Sequence, residues 1–171
     1  PSAQAAARDA DAKGNRYGKA EITQLHTKLC DMYNVPKNFL LLTDGSSEGI
    51  RALLGAYSRL PKVQLVIPEL TYGDGEHFAN LYNVPVVKVS MLADWKVDVA
   101  GLKKAVDGFD GFSIVYFVNP NNPTSTVTPA SEIELWVKSK PDNTLFIADE
   151  AYAEYVSDPN FKSMANLIQD G

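Results

Sequence analysis

The side chains that could do chemistry cluster in four short stretches: "DGSSEGI" at 44–50, "PELTYG" at 68–73, "NPNNPTS" at 119–125 and "ADEAYAEY" at 148–155. Gly45-Ser46-Ser47 opens an amphipathic run, so its backbone N–H groups and hydroxyls form a ready anion site, although serine is equally an ordinary helix cap. Tyr72 offers either a free aromatic face or a ring packed on the core. Asn122 opens the second of two Asn-Pro breaks, Asn119-Pro120 and Asn122-Pro123. Each proline removes a backbone donor and drives the residue before it out of helical geometry, which makes the loop extended and its amide immobile. Asn-Pro is also a common turn dipeptide. Asp149 follows Leu145-Phe146-Ile147-Ala148, where burying a carboxylate is costly unless a cation compensates it. Tyr152 adds a phenol, and Glu150, on the opposite face by strand alternation, reads as structural. An anion cradle, a ring, a fixed amide, a carboxylate and a phenol suit a flat, phosphorylated, nitrogen-containing ligand.

These groups need a scaffold that collects them. Continuous apolar runs "NFLLLTDG", "VQLVIPE", "PVVKVSM", "FSIVYFVNP" and "TLFIADEAY" predict five strands. Between them lie helical patterns: Ile22, Leu25, Leu29 and Met32; Ile50, Leu53, Leu54 and Tyr57; "YGDGEHFANLY"; Val99, Leu102 and Val106; "SEIELWVKSK"; and, last, Phe161, Met164, Leu167 and Ile168. Apolar strands alternating with amphipathic helices define an α/β, three-layer αβα fold around a mostly parallel sheet. Ligands of such sheets bind beyond the carboxyl ends of the strands, where the four stretches fall.

The bulk composition sets limits. With 171 residues, 45% of them hydrophobic, the chain can bury a substantial core, and residues 1–171 read as a single α/β domain. A net charge of −5 without basic runs argues against nucleic acid, and the longest apolar runs are strand-sized, too short to span a bilayer. The lone Cys30 reads as a small buried apolar residue and suits a reducing, cytoplasmic setting, with an export signal ahead of Pro1 left open. His26 and His77 have no cysteine at ligand spacing, so no metal site is expected.

The four stretches, in this order, together with "NRYG" at 15–18, resemble the large domain of fold-type I enzymes that use pyridoxal 5′-phosphate (PLP), and within them the class I/II aminotransferases of the histidinol-phosphate aminotransferase-like branch. The resemblance covers nearly the whole chain. It implies that Gly45, Ser46 and Ser47 hold the cofactor phosphate and that Tyr72 stacks on the ring. Asn122 and Tyr152 bond the phenolic oxygen, Asp149 pairs with the ring nitrogen, and Tyr17 reaches a neighbouring subunit's cofactor phosphate. It further implies a homodimer acting on small amino acid and 2-oxo acid substrates.

Three departures stand out. Ser125 occupies the position where the family has glycine, which predicts an adjusted loop because serine tolerates positive φ poorly. Gly18 follows Tyr17 where the family has proline. The Schiff-base lysine is expected beyond Gly171, since Lys103, Lys104, Lys138, Lys140 and Lys162 lie in exposed patterns without its sequence context. The chain therefore reads as most of the N-terminal half of such an enzyme, without its catalytic-lysine segment and C-terminal small domain. PLP-dependent decarboxylases and lyases share the same contacts, and a non-catalytic scaffold is a further alternative. "TLFIADEA" also resembles the Walker B strand of ATPases, but Gly-x-x-x-x-Gly-Lys-Ser/Thr is missing, as is the Gly-x-Gly-x-x-Gly of a Rossmann domain.

Overall fold

The computed structural model describes residues 2–11, 14–139, 141–159 and 161–170, so Pro1, Lys140 and Gly171 lie outside the described residues. The chain divides into two compact units, Pro1–Leu42 and Thr43–Gly171.

The first unit holds helices α1 (Ser2–Asp11) and α2 (Lys19–Tyr33) and a 3-10 turn at Lys37–Phe39. The alanine-rich α1 had no place in the expected pattern, yet alanine is the strongest helix former. α2 ends where Asn34 adopts φ 51, a left-handed cap after which Val35 N–H bonds back to Cys30 O at 3.0 Å. The predicted apolar stripe of α2 does not carry its burial: Ile22, Leu25 and Met32 are 57%, 50% and 65% exposed, whereas Cys30 is 4% exposed.

The expected strand at "NFLLL" is likewise replaced. Lys37–Phe39 is a 3-10 turn, and Leu40–Leu42 is irregular, with Leu41 79% exposed. The Leu40 carbonyl meets His26 Nε2 at 3.0 Å instead of a neighbouring strand. A carbonyl only accepts, so Nε2 donates, and Nδ1 is left to accept from Cys30 Sγ at 3.6 Å. His26 and Cys30 thus are neighbours after all. Among the described residues, however, no group of three potential ligands exists.

The second unit is built around four parallel strands: β1 (Val63–Pro68), β2 (Val86–Val89), β3 (Phe112–Val118) and β4 (Thr144–Asp149), in the order β2-β1-β3-β4. Its helices are α3 (Gly45–Tyr57), α4 (Asp74–Leu81), α5 (Val99–Asp107) and α6 (Ala130–Lys138). Strand alternation splits the core cleanly. Leu65, Ile67, Ile114, Tyr116 and Val118 pack with Ile50 and Leu54 of α3 and Ala79 of α4. The intervening Val66, Val115 and Phe117 pack on the other face with Leu102 and Val106 of α5 and Ile133 and Trp136 of α6. Both faces of the sheet are covered, which is the predicted three-layer αβα architecture. Leu54, Leu65 and Ile114 are wholly buried, and each such side chain contributes about 1.5–3 kcal/mol.

The final pattern is a 3-10 helix at Met164–Asp170 rather than an α-helix from Phe161. Glu150 sets its start: Oε1 accepts from Met164 N–H at 2.7 Å and Oε2 from the Ser163 hydroxyl at 2.5 Å. No helix of the described residues is long and apolar enough to cross a membrane.

Candidate active site

β1 connects to β2 on one side and β3 to β4 on the other, so the strand order reverses between β1 and β3. At such a switch point the loops leaving the two strands diverge and a crevice opens beyond their carboxyl ends. Tyr72 follows β1 and Asn122 follows β3. The two loops are joined by Asn121. Its Nδ2 donates to Leu70 O at 2.9 Å and to Thr124 Oγ1 at 2.8 Å, while its Oδ1 accepts from Thr71 Oγ1 at 2.9 Å.

Asn119 and Asn121, each 2% exposed, hold the loop. The amide of Asn122 makes no hydrogen bond among the described residues and lines the cleft. Both Asn-Pro bonds are cis, and Ser125 adopts φ 56. Serine takes the left-handed conformation itself, with its N–H bonded to Asn121 O at 2.8 Å and Asn121 N–H to Thr126 O at 2.9 Å.

Asp149 closes the β3–β4 ladder opposite Val118, and the Asn119 N–H bonds its carbonyl at 2.9 Å. Asp149 is 8% exposed. Oδ1 accepts from Ala151 N–H at 3.1 Å, an Asx turn that ends the strand and brings Tyr152 round. Oδ2 accepts from the Tyr116 hydroxyl at 2.9 Å. Burial, and then the Asp149 charge and the hydrogen bond to it, push the Tyr116 phenol far above the ordinary tyrosine range. No Lys or Arg pairs with Asp149 among the described residues, so the compensating cation expected from its burial is not supplied by them.

A cleft of about 150 Å³ is lined by Ser46, Tyr72, Val118, Asn122, Asp149, Ala151 and Tyr152. Five of the eight sequence-predicted residues thus share one cavity. Gly45, with φ +78, turns the chain into α3, and the Ser47 hydroxyl donates to Asp74 Oδ2 at the start of α4. Tyr17 belongs to the first unit and is 96% exposed. A second cleft of about 370 Å³ adjoins the first through Asn122 and Tyr152 and adds Pro120, Ser125, Val127 and Tyr155. Among the described residues no lysine lines either.

Sequence reasoning missed Tyr116, Asn119 and Asn121. Part of the signal for Tyr116 was available: a phenol inside a strand covered on both faces needs a partner, but which partner it meets depends on the β3–β4 register.

The family model for aminotransferase class I and II matches residues 1–171, and the chain belongs to that family. Among relatives, the histidinol-phosphate aminotransferase of Symbiobacterium thermophilum is 34% identical over 170 residues, which are 99% of this chain and 45% of that protein. A crystal structure from Erwinia carotovora atroseptica SCRI1043, provisionally assigned as a histidinol-phosphate aminotransferase, is 57% identical with a TM-score of 0.95, over 100% of this chain and 49% of that one. The histidinol-phosphate aminotransferase of Sinorhizobium meliloti in complex with pyridoxal-5′-phosphate is 25% identical with a TM-score of 0.80, over 94% and 43%. The chain spans about half the length of the relatives it matches.

Proposed function

We propose that the protein containing this chain is a PLP-dependent aminotransferase that moves the amino group of an amino acid or amino-phosphate to a 2-oxo acid. The observation that carries this reading is the single cleft in which Ser46, Tyr72, Asn122, Asp149 and Tyr152 meet. The donor set fits the cofactor. Asp149 is a buried anion with no cation among the described residues, and the Asn122 amide beside it has no partner.

In this reading the amides of Ser46 and Ser47 at the start of α3 receive the phosphate, because a helix leaves its first N–H groups without internal partners, while the Gly45 N–H, bonded to Thr43 O at 2.9 Å, fixes the turn that leads into the helix. Tyr72 limits the tilt of the cofactor ring. The Asn122 amide and the Tyr152 hydroxyl donate to the ring oxygen. Asp149, ionised and desolvated, keeps a proton on the ring nitrogen. When bound, PLP supplies the electron sink that amino-group transfer needs. The adjoining cleft takes the side chain of the amino donor, and the covalent lysine comes from residues other than these 171.

The test is to add single amino acids to the intact protein loaded with PLP and follow the cofactor absorption and the products. Conversion of the donor to its 2-oxo acid, with the amino group retained and later passed to an acceptor, is the expected result. Release of carbon dioxide with an amine product would make the protein a decarboxylase, and elimination products would make it a lyase.

The exposed Tyr17 supports a homodimer in which it meets the partner's cofactor phosphate, since a residue donated across a two-fold axis completes both sites at once. Sedimentation of the intact, PLP-bound protein as a monomer would rule this out.

A further inference from the structure

We propose that Tyr116 is a positioning residue for Asp149: its phenol O–H fixes the carboxylate that serves the cleft, and Gly75 of α4 provides the room for the ring. The proposal rests on the functional reading above, in which Asp149 meets the ring nitrogen of PLP.

Tyr116 is wholly buried in the middle of β3. The register pairs Tyr116 with Ile147 and Val118 with Asp149. Tyr116 and Asp149 are therefore diagonal neighbours on one face, a separation that a tyrosine side chain spans. The hydroxyl lies 2.9 Å from Oδ2 while Ala151 N–H holds Oδ1 at 3.1 Å. With both oxygens tied, the carboxylate plane cannot turn. Core packing alone does not ask for that hydroxyl, because phenylalanine would fill the same volume.

Two further observations point the same way. The groups acting on the phenol are the Asp149 carboxylate, Asp74 at the start of α4 and Tyr72 after β1. Together with burial they keep it protonated, so towards the carboxylate it can only donate. Gly75, the second residue of α4, leaves room for the ring: an added Cβ there would lie 2.5 Å from Tyr116 Cδ1. Any larger residue there would force the ring, and with it the hydroxyl, to shift.

The test compares the intact protein with Tyr116→Phe, Asp149→Asn and the double variant. Each is titrated with PLP by fluorescence, followed through the pH dependence of the cofactor absorption, and melted without cofactor. Tyr116→Phe should weaken PLP binding about tenfold, the scale of one hydrogen bond to a charged group. It should also shift the pH dependence and have no further effect once Asp149 is Asn. A residue that acts only by packing would lower the melting temperature and leave the pH dependence alone. Unchanged affinity in Tyr116→Phe, or equal weakening in both Asp149 backgrounds, overturns the proposal. Should Tyr116→Phe fail to fold, Gly75→Ala keeps the hydroxyl but crowds the ring, and unchanged PLP affinity there overturns the proposal too. If the unaltered protein binds no PLP, the functional reading falls and this proposal with it, a result that the unaltered control sets apart.

Discussion

Asn119 and Thr128 are closed on each other in both directions: Asn119 Nδ2 donates to Thr128 O at 3.0 Å, and Asn119 Oδ1 accepts from Thr128 N–H at 3.0 Å. Both residues are buried, so this pair ties the neck of the loop that presents Asn122. Asn119→Ala would strand the Thr128 amide and carbonyl without partners, at a cost of about 3 kcal/mol from two unsatisfied groups. Both bonds use the Thr128 backbone, so Thr128→Ala should cost less than half as much. Urea unfolding of the two variants checks the ordering.

Asp149 and Glu150 are adjacent carboxylates with different tasks, and their alanine variants should separate. Asp149→Ala is expected to raise the barrier to transamination in the intact protein by about 3–5 kcal/mol, the scale of a preorganised electrostatic contact. Glu150→Ala removes the acceptor for Met164 N–H and the Ser163 hydroxyl. It should lower stability by about 1.5–3 kcal/mol and leave turnover of the folded fraction close to unaltered. Single-turnover rates and melting temperatures of both variants with PLP bound decide the matter, and an Asp149→Ala enzyme with the unaltered rate would sink its assignment.

The suppressed ionisation of Tyr116 predicts alkaline lability. An unfolded tyrosine ionises near its ordinary value of 10.0, whereas the buried phenol beside Asp149 keeps its proton well beyond that. The unfolded state therefore binds fewer protons than the folded one above that pH. Stability from this group is complete below pH 10 and falls by about 1.4 kcal/mol per pH unit above it. Urea midpoints at successive pH values from 9 to 11 should show a steeper fall in the unaltered protein than in Tyr116→Phe.

Ser125 takes φ 56, a conformation that side chains with a Cβ resist. Ser125→Gly should therefore be stabilising by about 0.5 kcal/mol, the relief of strain slightly exceeding the extra freedom glycine gives the unfolded chain. Ser125→Val should destabilise by about 1–2 kcal/mol, because a β-branched residue is worst placed there. Thermal unfolding of both variants measures the difference.

Much of the fold was legible because period-2 and period-3.6 patterns report burial on both faces of a sheet. What burial cannot report is pairing. "NFLLL" has the composition of a strand, but Leu40 gives its carbonyl to His26. α2 has an apolar stripe in sequence, while Cys30 on another face is the residue it buries. The cleft residues Ser46, Tyr72, Asn122, Asp149 and Tyr152 could be picked out because each sits at or just past a strand end or at a helix start, where motif spacing is short and local. Tyr116 and Asn121 act through partners up to 51 positions away, a relation set by register and not by local spacing.

The strand order has a consequence for how this chain comes into being. Parallel neighbours cannot be joined by a tight hairpin, so every pairing waits for a crossover. Leu65 meets Val86 first as the chain grows; Val63 meets Phe112 only later, and Ser113 meets Thr144 last. β1 therefore leaves the ribosome with one side of its ladder open and keeps it open through the synthesis of α5. Sequence-distant pairing of this kind slows folding and prolongs exposure of apolar edges. The cleft between β1 and β3 is thus born late, assembled only when the second half of the sheet docks beside a strand made long before it.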